Sequence, residues 1–121
     1  KVMPATKLNL KIEQGATYIK RVSWMTGPLP GTPVDLTGCT ARMHARAKLA
    51  DTATLLSLST ANGGIVLGGA TGRVDIILTD EQTAAITWTS AVYDLEIEFP
   101  NGTVTRLLQG SISVSPEVTR G

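Results

Sequence analysis

Apolar and polar residues exchange places at every second position along most of this chain. That is the period of a β-strand with one face buried and the other in water. Leu8, Leu10 and Ile12 alternate with Lys7, Asn9, Lys11 and Glu13. Residues 18–24 are rich in the β-branched and aromatic side chains that suit a pleated surface, and predict a second strand. In residues 40–47, Ala41, Met43, Ala45 and Ala47 share one face, with Arg42, His44 and Arg46 on the other. Residues 55–58 and 65–67 predict two short apolar strands, and Val74, Ile76 and Leu78 then alternate with Arg73 and Asp75. The clearest stretch comes late: Tyr93, Leu95 and Ile97 point one way, Asp94, Glu96 and Glu98 the other. Residues 103–109 return as its partner, and Ile112 and Val114 carry the alternation to Pro116.

The breaks in the pattern are equally informative. Gln14-Gly15, residues 68–72 and Pro100-Asn101-Gly102 are turn signals, and Asn62-Gly63-Gly64 predicts a hairpin between its flanking strands. Gly110, inside a strand pattern, predicts a bulge or bend. Residues 25–38 hold three prolines and three glycines and predict a long connection, because proline cannot donate to a central ladder. One segment is different in kind. Thr79 precedes Gln82 at capping-box spacing, and Asp80 and Glu81 fall in the first turn, where a helix dipole favours carboxylates. A short helix over 80–86 is predicted.

About eight short strands, frequent turns and one short helix predict an all-β protein, an antiparallel β-sandwich. Alternation does not reveal strand order, so an immunoglobulin-like and a jelly-roll arrangement both stand. The 121 residues fit a single domain over 1–121. Met3-Pro4-Ala5 reads as a natural start, which makes Lys1-Val2 an expression remnant. Two Trp, two Tyr and one Phe leave the core to aliphatic residues, with Trp24, Trp88 and Tyr93 as its expected anchors.

Composition narrows the function. Eleven basic against ten acidic residues give a net charge of +1, without the basic excess of a nucleic-acid binder. No run approaches the roughly 18 apolar residues of a membrane helix, and the N-terminus has no apolar signal region. Nucleic acid, membrane and small-molecule substrate are therefore not expected partners. The single cysteine, Cys39, excludes an internal disulfide and a multi-cysteine metal site; the single histidine, His44, removes most metal and acid–base constellations. No cofactor is expected.

Each remaining candidate for chemistry has a plainer reading. His44 lies between Arg42 and Arg46, and neither guanidinium orients an imidazole as a carboxylate does in a triad. These positions read as a solvated or interface-facing strand. Cys39 and His44 differ by an odd number of residues, which puts them on opposite faces of a regular strand, so the thiol reads as buried and inert. Asp94, Glu96 and Glu98 form a ladder along one strand face. It lacks the opposed geometry of a glycosidase pair and is explained by pairing with Arg106 or with the Arg42–Arg46 face. The glycines of residues 63–72 lack the Gly-Lys-Ser/Thr that opens a phosphate-loop helix.

Four stretches carry a resemblance: Ile12-Glu13-Gln14-Gly15-Ala16-Thr17; Pro33-Val34-Asp35-Leu36-Thr37-Gly38 with the Ala41 to Arg46 strand; Thr79-Asp80-Glu81-Gln82-Thr83-Ala84-Ala85; and Tyr93-Asp94-Leu95-Glu96 through Gly102, Val104, Arg106, Gly110 and Val114 to Arg120. Together they resemble small structural proteins of tailed bacteriophages and are similar to the N-terminal domain of baseplate upper proteins. The resemblance implies a non-enzymatic virion component with an immunoglobulin-like sandwich. In that family the domain attaches a receptor-binding module to the tail, so the implied function is an interaction module of the tail or baseplate. The chain ends at Gly121 without such a module, so a capsid decoration protein and a small tail subunit stand beside the adaptor. A virion location after synthesis in reducing host cytoplasm fits one unpaired cysteine. The expected partners are other virion proteins and further copies of the chain. The expected interface comprises Arg42, His44, Arg46, Asp94, Glu96 and Glu98, with Leu29 and Pro30 of the Pro/Gly loop. A carbohydrate-binding domain is a further alternative, and it requires an exposed aromatic platform at Trp24 or Trp88.

Overall fold

The alternating segments become strands, in chain order β1 (Thr6–Lys7), β2 (Leu10–Glu13), β3 (Tyr18–Ser23), β4 (Met25–Thr26), β5 (Thr32–Pro33), β6 (Thr40–Arg46), β7 (Leu56–Ser59), β8 (Ile65–Leu67), β9 (Arg73–Leu78), helix α1 (Asp80–Ala84), β10 (Ser90–Glu98) and β11 (Val104–Ser115). The structure is a computed structural model that describes residues 6–118. The expected start at Met3, the Lys1-Val2 remnant and the resemblance at Thr119 and Arg120 lie outside the described residues.

Two sheets pack face to face around one core. The larger runs β7-β6-β10-β11, with β1 and β2 one after the other along the outer edge of β11; the smaller runs β3-β9-β8. Strands β6, β10 and β11 thus share one sheet, β3, β9 and β8 the other, and β7 extends the first. This is the immunoglobulin-like order, and it settles the choice against a jelly roll. The interior is aliphatic: Ile12, Leu36, Met43, Ile65, Ile76, Leu78, Leu95, Ile97, Leu108 and Ile112 are among its fully buried side chains. Of the three expected anchors only Tyr93 is buried; Trp24 and Trp88 are half-buried at the rim, Trp24 meeting Phe99 edge-on at 5.9 Å.

Several expectations need correction. The sandwich is not wholly antiparallel, because β1 and β2 run parallel to β11. Gly110 makes this possible. A Cβ there would lie 2.3 Å from the Leu8 carbonyl oxygen, so Gly110 marks a close backbone approach rather than a bulge. Leu8 is held from both sides: its N–H donates to the Gln109 carbonyl at 2.8 Å, and the Tyr93 hydroxyl donates to its carbonyl at 2.5 Å. The bulge lies nearby instead. Leu95 pairs with Leu108 and Glu96 with Arg106, which leaves Leu107 as the extra residue and buries two consecutive leucines.

Asn62-Gly63-Gly64 closes no hairpin. It carries the chain from one sheet to the other, since β7 pairs with β6 and β8 with β9. The Asn62 carboxamide oxygen accepts from the N–H of Ser59 at 2.9 Å and of Gly64 at 3.0 Å, shaping the crossing. The Pro/Gly segment contains a small antiparallel hairpin, β4–β5. Beyond it the Asp35 carboxylate accepts from the N–H and hydroxyl of Thr37 at 3.0 and 2.6 Å, and this turn lowers Leu36 into the core. Those hydrogen bonds also hold the Asp35 carboxyl below its usual range. Strand β6 stops at Arg46, so Ala47 is exposed rather than continuing the buried row.

The helix forms with both halves of its capping box, Thr79 and Gln82, in place. It ends at Ala84, and Ile86 turns into the core instead of extending it. Thr83 is fully buried; its hydroxyl donates to the Ala16 carbonyl at 2.8 Å and accepts from the Gly15 N–H at 3.0 Å. Gln14 donates to the Ile86 carbonyl and accepts from the Glu117 N–H, tying three segments at that end.

Two outcomes check this architecture. Leu95→Ala is expected to cost about 2–5 kcal/mol, as buried aliphatic truncations do, while Glu98→Gln leaves stability nearly unchanged; urea titration of both separates them. Gly110→Ala is expected to cost about 1–3 kcal/mol by overpacking against Leu8, with faster amide hydrogen exchange in residues 6–13. Unchanged exchange there would show that the parallel edge does not depend on the glycine.

Candidate protein-interaction face

The alternation that buries Tyr93, Leu95 and Ile97 sends the intervening side chains to the outer face of the larger sheet. There β6 and β10 lie side by side, Arg42 opposite Glu96, His44 opposite Asp94, Arg46 opposite Val92. Beyond β10, Gln109 stands opposite Asp94 and Arg106 opposite Glu96; beyond β6, Ser57 and Ser59 stand opposite His44 and Arg42. The result is a basic row, an acidic row and one further arginine, each a strand apart.

These charges are paired across strands. Arg42 reaches Glu96 at 3.1 Å and Glu98 at 3.6 Å, and Arg106 reaches Asp94 at 3.5 Å. Of the arginines expected to pair with the carboxylate ladder, Arg42 and Arg106 do so, and Arg46 does not. All these side chains remain partly open to water, where such pairs add at most about 1 kcal/mol each. Their effect is to order the face rather than to hold the fold.

Arg46 has a different role from its neighbours. Its guanidinium donates to the carbonyls of Thr52 at 2.6 Å and Asp51 at 3.4 Å, so it fastens the connection between β6 and β7. That connection presents Leu49, which is 87% exposed, at the border of the face. A shallow depression of about 360 Å³ runs between His44, Arg46, Leu49, Asp94, Arg106 and Gln109. Leu49 and Gln109 were not legible as site residues. Leu49 is a lone apolar residue among small and polar ones, and Gln109 and Arg106, an odd number of residues apart, share the face only because the bulge at Leu107 lies between them. Val92 shares the parity of the acidic row and was legible in principle.

Leu29 and Pro30 are not brought to this face. They form the exposed end of the β4–β5 hairpin, with Leu29 95% exposed, and do not line the depression described above.

The outer face of the smaller sheet is closed by its own chemistry. Asp75 is only 6% exposed, although alternation places it on the outer side. Arg21 lies over it at 3.0 Å, and the Arg73 Nε is 3.6 Å from its second oxygen. Two guanidinium groups thus cover a carboxylate that the simple alternation leaves in water.

Little here suits catalysis. Cys39 is half-buried before β6, and desolvation together with the Asp35 charge raises its pKa, which disfavours the nucleophilic thiolate. It does not meet His44, which is exposed on the outer face. Among the described residues no three His, Cys, Asp or Glu side chains are grouped to hold a metal ion. Burial raises the hydroxyl pKa of Tyr93, consistent with its use as a donor to Leu8. Trp24 and Trp88 are half-buried against the core, Trp24 meeting the edge of Phe99, so neither stands fully open to solvent.

No protein-family model and no curated protein sequence matches the chain. Among solved structures, a chicken T-cell receptor crystal structure matches with a TM-score of 0.58 and 11% sequence identity, over 97% of this chain. The match spans 57% of the receptor chain. At that identity the likeness concerns the fold alone, and the fold it shows is the immunoglobulin-like sandwich.

Proposed function

We propose that this chain is a non-enzymatic interaction module of a tailed-bacteriophage particle, acting in the tail or baseplate as an adaptor or small tail subunit. The observation that carries the reading is where the chain keeps its chemistry. Its charged rows lie on the open outer side of a sheet, around a shallow depression, instead of converging in an enclosed cleft. A flat face of paired, half-open charges suits recognition of another protein surface, where complementary potentials fix register and exclude wrong partners. Catalysis requires convergent groups around a reacting atom.

The particle role is supported by the resemblance of the four sequence stretches, and the structure gives each of them a mechanical use. Gln14 ties the chain ends near the helix; Asp35-Leu36-Thr37 plugs one end of the sandwich; Thr79 and Gln82 cap the helix. Gly110 admits the N-terminal strand. The immunoglobulin-like fold implied by that resemblance is the fold observed. The decoration role rests on the same face and differs only in the partner. The carbohydrate-binding alternative is disfavoured by the half-buried tryptophans.

Mass spectrometry of purified particles of the phage encoding this chain is expected to find it in fixed stoichiometry with tail proteins. Stoichiometry matching the major capsid protein would assign the decoration role, and absence from particles would overturn the proposal. Cys39 is expected to react with iodoacetamide more slowly at neutral pH than an unhindered thiol, whose pKa is about 8.5. Rapid alkylation would return the cysteine to consideration as a nucleophile.

A further inference from the structure

We propose that the outer face of the larger sheet is one half of a two-fold symmetric dimer of this chain. The inference rests on the order of charges on that face and does not depend on the particle role.

The basic row of β6 (Arg42, His44) and the acidic row of β10 (Asp94, Glu96, Glu98) are neighbours. Paired strands lie about 4.8 Å apart. Consider two copies brought together face to face. A two-fold axis perpendicular to the strands would set each row against its own copy, basic on basic and acidic on acidic. A two-fold axis parallel to the strands, lying between β6 and β10, exchanges the rows. Arg42 then faces the partner's Glu96, and His44 faces the partner's Asp94. One symmetry operation therefore makes the face complementary to itself, which is the requirement of an isologous interface.

The remaining features agree. The cross-strand pairs within one copy leave capacity for more contacts: a carboxylate offers about four acceptor sites and a guanidinium five donors. Every charged member of the two rows is partly exposed. Leu49 and Val92 are exposed large apolar residues that line the depression on this face, so the two-fold contact would enclose both. Size is also suitable. A face five strands wide and as long as β10 measures on the order of 600 Å², near the roughly 800 Å² per partner of a standard interface.

The test separates charge complementarity from folding. Light scattering of the wild-type chain from about 1 μM to about 1 mM is expected to show a monomer-to-dimer transition that weakens with added salt. R42E/H44E makes both rows acidic at the two paired levels, and D94K/E96K makes both rows basic there. Each variant alone is expected to be monomeric over that range, and an equimolar mixture is expected to form a one-to-one heterodimer. Leu49 is almost fully exposed, so L49E leaves the thermal midpoint unchanged; it is expected to weaken the dimer at least tenfold. That variant decides the matter should either charge variant fail to fold. A wild-type chain that stays monomeric, or forms trimers or larger species, overturns the proposal. So does a dimer indifferent to L49E, or folded charge variants that remain separate when mixed.

Discussion

Strand β10 lies between β6 and β11 at the centre of the larger sheet, and its register governs both sides of the molecule. Leu95 and Ile97 have no exposure to solvent, and Tyr93 next to them is also buried. The chain has one cysteine and five aromatic residues, so neither a disulfide nor a large aromatic cluster can substitute for this aliphatic row. A slip of one residue would turn Asp94, Glu96 and Glu98 into the core and the aliphatic row into water. The penalty for burying three carboxylates is far larger than the few kcal/mol by which such domains are stable. The charged outer face is therefore defined as strictly as the core, because it is the reverse side of the same strand.

A second consequence reaches the chain's beginning. Tyr93 belongs to the inner row, yet its hydroxyl ends on the carbonyl of Leu8. Buried hydroxyls need a partner, and this one finds it in the segment joining β1 to β2. Gly110 removes the Cβ that would keep that segment away. The parallel edge therefore depends on one residue of β10 and one of β11, far from it in sequence, which explains why strand periodicity alone did not reveal it.

The fold was legible wherever a strand has one wet face. Residues 40–46, 73–78 and 90–98 became strands, with the helix cap between the last two formed by the residues that predicted it. What escaped was information held between segments. Alternation cannot say that residues 56–59 and 65–67 join different sheets, nor that an extra residue at Leu107 brings Arg106 and Gln109 to the same face. Asp75 is the sharpest case. Its position in the alternation is outward, but two arginines from β3 and β9 fold over it, and burial follows from side-chain length rather than backbone parity. Of the expected interface, the charged rows were legible because they are the complement of the core. Leu29 and Pro30 lie at the exposed end of the β4–β5 hairpin, outside the depression on that face.

That separation bears on how such a module would be used. A paired, half-open charge array contributes little affinity for each contact, but it discriminates strongly in register. It suits a partner met in one fixed geometry, which a second copy related by symmetry provides. The β4–β5 hairpin is different: its end carries an exposed leucine next to proline and no charge. An exposed apolar tip recognises a pocket, not a row of charges, and tolerates a partner of unrelated sequence. If the sheet face is occupied by a copy of the chain, the hairpin is left free on both protomers and related by the same two-fold axis. The module then offers two equivalent apolar tips to a symmetric neighbour, and attachment gains from both being engaged at once. Self-association and attachment would thus use different chemistry on different surfaces, so that neither competes with the other.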